Sequence, residues 1–150
     1  MKPDETAALA KEANRETWTL LEREDRGPED DERMVHAAHA SAFHWQQAGG
    51  DLESARADWL LSHVYSILGR SEEAVRYAQR CLATCEANRF GDFDLAYAYE
   101  GVARSAACAG DAHGAARWRA KAEQAALAIA DREDRELFGA DLAAEPWYGT

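Results

Sequence analysis

Five glycines mark the turns of this chain, and their spacing constrains the fold more than any other feature of the sequence. The interval is 42 from Gly27 to Gly69, 41 from Gly69 to Gly110 and 42 from Gly49 to Gly91. Glycine readily adopts the positive-φ backbone that ends helices, so each position predicts a break between two helices. Two classes of turn that alternate with one period indicate repeated helical hairpins.

Between these breaks, apolar side chains recur with helical periodicity in six segments. The chain is rich in Ala, Leu, Glu and Arg and contains only three Pro, which favours helix over sheet. A chain of 150 residues commonly forms one core, so we predict a single all-α domain over residues 1–150. The predicted helices span 4–24, 30–47, 52–68, 72–87, 93–109 and 112–129.

The middle of the chain carries large, small and turn residues in a pattern that resembles the tetratricopeptide-repeat (TPR) family. The period of 41 exceeds the roughly 34 residues usual there, which longer helices would explain. The resemblance implies a right-handed TPR-like α-solenoid of three antiparallel hairpins, at about 4–47, 52–87 and 93–129. The matching residues are Leu61, Ser62, Tyr65, Gly69, Ala74, Ala78, Cys81 and Leu82.

Two segments lie outside the repeat. The acidic stretch 22–32 is predicted to be a solvated turn. The tail 131–150 begins with a dense run of charges and then becomes apolar. Repeat arrays need a cap on their last exposed face, so we predict that this tail folds back as a cap. Its apolar residues are Leu137, Phe138, Leu142, Pro146, Trp147 and Tyr148.

Aromatic and ionisable side chains recur at matching positions in the first helix of each hairpin. A helical wheel places them opposite the apolar side in the middle hairpin, and a shift by one repeat period finds counterparts in the other two. One shared face lined by Arg and aromatic groups suits carboxylates and planar groups. The alternative is that the Trp rings pack internally while Arg and Glu pair across helices. The candidate binding residues are Arg15, Trp18, Arg56, Trp59, His63, Tyr97, Glu100 and Arg104.

A second cluster, on the second predicted helix, contains His39, His44 and Trp45 as candidate pocket residues. His36 and His39 share a helix face, but His44 lies about 140° from His39, so one helix cannot bring all three to one ion. No HExxH motif accompanies them, and we predict no metal site. The alternative is that His39 and His44 are partly buried imidazoles bonded to carbonyls or carboxylates.

Charge and motif content narrow the function classes. The net charge of −11 and the lack of a basic run argue against nucleic acid and membrane partners. A charged start and the lack of a long apolar run favour a cytoplasmic protein. Cys81, Cys85 and Cys108 suit small core residues in a reducing compartment. No hydrolase or nucleotide-binding motif is present, so we predict no catalytic residue and no cofactor.

Together these observations favour a non-catalytic module that binds a protein or peptide partner, with an acidic group as one candidate for recognition. The alternative is a small-molecule-binding or metal-binding protein, or a small enzyme, with a His and Trp pocket between hairpins. A homodimer is a third hypothesis, because Ala-rich faces around Ala96 and Ala103 permit close contact between helices of two chains.

Overall fold

The computed structural model describes residues 1–150 as seven α-helices without a strand, which confirms the all-α prediction. The helices pack in neighbouring pairs, α1 with α2, α3 with α4 and α5 with α6, and α7 contacts α5 and α6. None of the seven combines the length and apolar character needed to cross a membrane. They are α1 (Pro3–Leu21), α2 (Pro28–Ala48), α3 (Asp51–Ile67), α4 (Ser71–Asn88), α5 (Asp92–Cys108), α6 (Ala112–Ala126) and α7 (Arg132–Ala143).

Helix α2 begins earlier than predicted, so the predicted turn over 22–32 is wrong in its second half. Pro28 occupies the first position of α2, where the backbone N–H makes no hydrogen bond within the helix. The missing N–H of Pro therefore loses no hydrogen bond there, and its restricted φ already suits a helix. The Asp30 carboxylate accepts a hydrogen bond from the Gly27 N–H at 3.2 Å. Gly27 has an extended backbone with φ −94, and therefore differs from Gly69 and Gly110, whose φ values are +75 and +81.

The period predicted from the glycines is retained in the second and third helix pairs. Helices α3 and α5 begin at Asp51 and Asp92, which lie one repeat period apart. Both pairs have a positive-φ glycine just after their first helix, a conformation that side chains with a Cβ disfavour. The same turn chemistry therefore recurs with the same spacing.

Small side chains allow close packing between the helices. Ala74, Ala96 and Ala103 are completely buried, and each lies in a cluster with larger apolar residues of neighbouring helices. Ser62 is also buried, and its hydroxyl donates a hydrogen bond to the Ala74 carbonyl at 2.8 Å, which ties α3 to α4. Longer side chains at these positions would separate the helices.

The tail folds back onto α5 and α6, as predicted, but it does so mainly as a helix that the sequence pattern did not predict. Phe138 and Leu142 of α7 are buried against α5 and α6, together with Trp147. The Trp147 indole N–H donates a hydrogen bond to the Leu142 carbonyl at 2.9 Å. The guanidinium groups of Arg104 and Arg119 each lie 4.2 Å from the Trp147 ring centroid.

Replacing Trp147 with Ala should lower the free energy of unfolding by about 3–5 kcal/mol, because it removes a buried indole and two cation–π contacts. Urea unfolding followed by far-UV circular dichroism measures the change. Leu137→Ala is the matched control on the same tail, because Leu137 is 59% exposed and its removal should cost less than about 1 kcal/mol. Equal losses in the two variants would contradict the packing role of Trp147.

Candidate functional site

A cavity of about 680 Å³ opens between α1, α3, α5 and α7. Its volume falls within the roughly 300–1,000 Å³ typical of small-ligand sites. Cys81 and Cys85 of α4, which are free thiols, also contribute to its wall. The aromatic and charged residues of the lining are Trp18, Trp59, His63, Phe93, Tyr97, Glu22, Arg56, Asp94, Glu100, Arg104, Asp141 and Glu145.

Seven of the eight binding residues predicted from the repeat line this one cavity, and Arg15 does not. Helix α1 contributes Asn14, Trp18, Leu21 and Glu22, whose spacing along the helix places them on one face. Arg15 is exposed outside that face. The other seven come together because α1, α3 and α5 present matching positions to the same space.

The second predicted cluster lies elsewhere. His39, His44 and Trp45 belong to α2, and none of them lines the cavity. The His39 Nε2 atom lies 2.7 Å from the Tyr65 hydroxyl, and burial, followed by the charges of His36 and Arg76, lowers the pKa of His39. The structure therefore does not bring the expected His and Trp pocket together.

Two groups of cavity residues escaped prediction from the sequence. The tail contributes Leu137, Asp141 and Glu145, and the start of α5 contributes Phe93 and Asp94. Repeat spacing finds only positions that recur, and the tail has no counterpart earlier in the chain. Its apolar residues were the available signal, and they indicated burial but not which surface the tail would cover.

Arg56 is held by a carboxylate of the next helix pair. Its Nε and Nη2 atoms donate hydrogen bonds to the two carboxylate oxygens of Asp94, at 2.9 and 3.0 Å. The hydrogen bond with Asp94 raises the pKa of Arg56. This two-point pairing neutralises the charge of Arg56 and directs its guanidinium across the cavity wall.

Arg104 is engaged even more completely. It is 2% exposed, and its Nε donates to the carboxylate of Glu100, itself 1% exposed, at 2.5 Å. Its terminal nitrogens donate to three tail carbonyls, those of Asp141, Ala144 and Pro146, each at 2.9 Å. Arg104 therefore connects α5 to the tail.

Glu100 also holds the central aromatic residue of the cavity. The Trp59 indole N–H donates to the second carboxylate oxygen of Glu100 at 2.8 Å. The Trp59 ring stacks on His63, with centroids 4.9 Å apart and an interplanar angle of 13°. Trp18 of α1 lies 6.0 Å from Trp59, and the Tyr97 ring meets Trp59 edge-on at 5.3 Å. Three helices thus bring their aromatic rings together.

His63 is neutral at neutral pH in this setting. Burial, followed by the charge of Arg104, lowers the pKa of His63 to about 4, with Asp141 opposing the shift. Its Nδ1 atom is buried without a hydrogen-bond partner. A neutral imidazole stacked on indole rings adds to the aromatic surface without contributing charge.

The arrangement provides aromatic faces, a neutral imidazole and several carboxylates. The described residues contain no group of three or more His, Cys, Asp or Glu side chains placed to hold a metal ion. Comparisons of the chain with protein-family models, with curated proteins and with solved structures give no match. The geometry and charge of this cavity are therefore the basis for inferring function.

Replacing Arg104 with Met should lower the free energy of unfolding by about 3–5 kcal/mol, because it leaves the Glu100 carboxylate buried without its partner. The double variant Glu100→Gln/Arg104→Met removes that uncompensated charge and should be more stable than Arg104→Met alone. Urea unfolding of the single and double variants at neutral pH provides the comparison. A double variant less stable than the single one would contradict this interpretation.

His63 should make the folded state sensitive to acid. The unfolded chain binds a proton at His63 near pH 6.5 and the folded protein only near pH 4, so stability falls as pH decreases through this range. Between pH 7 and about pH 4.5 this contribution amounts to about 2 kcal/mol. His63→Gln should lose correspondingly less stability than the wild type over that interval. His113→Gln, an exposed substitution on α6, should behave like the wild type.

Proposed function

We propose that this protein is a non-catalytic binding module of TPR-like type, whose cavity receives a segment of a protein or peptide partner. The observation that carries the proposal is the convergence of Trp18, Trp59 and Tyr97, from α1, α3 and α5, on one cavity. Aromatic side chains supply large, rigid contact areas and are enriched where binding energy is concentrated.

The proposed architecture is a right-handed solenoid of three antiparallel hairpins in which α7 covers the last pair. Contacts within each helix pair, and contacts between the first helices α3 and α5, support this arrangement. The interval of one repeat period between the starts of α3 and α5 supports it as well. A terminal cap with a polar outer surface is what an array of this kind requires.

The cavity volume favours a second candidate, a free small molecule. A space of about 680 Å³ accommodates one compact organic ligand as well as one or two side chains of a peptide. The two candidates share the cavity and differ in whether a peptide backbone contributes to binding.

Selection of a displayed random-peptide library on the wild-type protein tests the leading candidate. Selected peptides should bind Trp18→Ala at least about tenfold more weakly, because the variant loses one aromatic wall. They should bind Trp118→Ala with unchanged affinity, because Trp118 lies on α6 outside the cavity lining. Peptides that bind both variants equally well would place the contact surface elsewhere and contradict the proposal.

A thermal-shift screen of small metabolites separates the second candidate from the first. A ligand of the native cavity raises the unfolding midpoint of the wild type, and the shift should be smaller for Trp18→Ala than for Trp118→Ala. Such a compound, found in the absence of any cavity-dependent peptide, would favour the small-molecule function.

A further inference from the structure

The cavity has an excess of negative charge. Two arginines and five carboxylates line it, which leaves three carboxylates without a matching cation. Glu22 and Glu145 are exposed at the cavity, and Asp141 accepts a hydrogen bond from the Tyr97 hydroxyl at 2.5 Å. The Tyr97 hydroxyl is neutral, so the charge of Asp141 remains uncompensated.

The arginines that suggested an acidic partner are already occupied. Arg56 is paired with Asp94, and Arg104 is paired with Glu100 and with tail carbonyls. An acidic ligand at Arg104 would have to break a buried ion pair, which is unfavourable. At the half-exposed Arg56 it would compete with the two-point pairing of Asp94 and would also lie near the unmatched carboxylates.

The aromatic wall completes a surface suited to a cation. The rings of Trp18, Trp59 and Tyr97 line the same cavity as the Asp141 carboxylate. A guanidinium or ammonium group over an indole face is attracted by the ring quadrupole, and more strongly where water is excluded. A carboxylate beside the rings adds a Coulombic attraction that is stronger in a cavity than in open water. The stacked neutral imidazole of His63 adds no opposing charge.

We infer that the partner enters this cavity with a basic side chain, the guanidinium of Arg or the ammonium of Lys. This inference rests on the proposed function and specifies the chemistry of the partner segment. It replaces the acidic group expected from the sequence with a group of opposite charge. The cation lies between the aromatic faces and the carboxylates of Asp141 and Glu145, and the neighbouring peptide residues contact the rim.

The first test uses a cavity-dependent peptide from the library selection and its variant with citrulline in place of arginine. Citrulline keeps the shape of arginine and removes its charge, so the peptide should bind at least about tenfold more weakly. Equal affinity of the two peptides, or selected peptides that are consistently acidic, would overturn the inference and leave the binding module intact.

A pair of protein variants locates the charge that the cation contacts. Asp141→Asn keeps an oxygen for the Tyr97 hydroxyl, and should weaken binding of the arginine peptide about fivefold while changing the citrulline peptide little. Glu133→Gln removes one charge from an exposed position of the same helix outside the cavity, and should leave both affinities unchanged. Equal effects of the two variants would indicate that the overall negative charge of the protein attracts the peptide, rather than a site at Asp141, and would overturn the inference.

A third measurement tests the charge preference without any selected peptide. The change in tryptophan fluorescence, to which Trp18 and Trp59 of the cavity contribute, reports titration with the N-acetyl amides of arginine, citrulline and glutamate. The arginine derivative should bind at least about tenfold more tightly than the other two, and a preference for glutamate would overturn the inference. If the arginine derivative binds as tightly as the whole peptide, the ligand is a free cation, and the inference that a partner segment supplies the cation is wrong. Failure to select any peptide would contradict only the proposed function.

Discussion

The buried ion pair between Glu100 and Arg104 is the interaction on which the cavity and the tail both depend. Two charges removed from water cost several kcal/mol each unless hydrogen bonds satisfy their remaining polar atoms. Here the Trp59 indole satisfies the second oxygen of Glu100, and three tail carbonyls satisfy Arg104. The pair therefore fixes the orientation of the central aromatic ring and the position of the tail through the same few atoms.

This connection explains why the cavity has a fourth wall. Helices α1, α3 and α5 supply three sides, and α7 supplies Leu137 and Asp141 on the remaining side. The tail stays there because Phe138 and Trp147 are buried against α5 and α6, while Arg104 bonds to its backbone. Apolar burial supplies most of the stabilisation, and the directional hydrogen bonds select one position for the tail.

The internal pairing of the arginines also determines the electrostatic character of the cavity. Arg56 and Arg104 are cations in the sequence, but each is neutralised by a carboxylate of α5. The groups that remain available in the cavity are aromatic rings and carboxylates without a matching cation. The sequence suggested an acidic partner because these residues include arginines. Once the arginines are paired, the same residues favour the proposed basic side chain.

The sequence by itself determined the helical class, six of the seven helices and the face on which the aromatic residues recur, because glycine spacing and apolar periodicity are local properties of the chain. It did not determine α7, whose first turns are a charge run, since a helix this short depends on packing of Phe138 and Leu142 for its stability. Nor did it determine Asp94 as the partner of Arg56, or the tail carbonyls as the acceptors for Arg104. Those bonds join residues far apart in the chain, and only the packed helices decide which carboxylate or carbonyl a long side chain can reach.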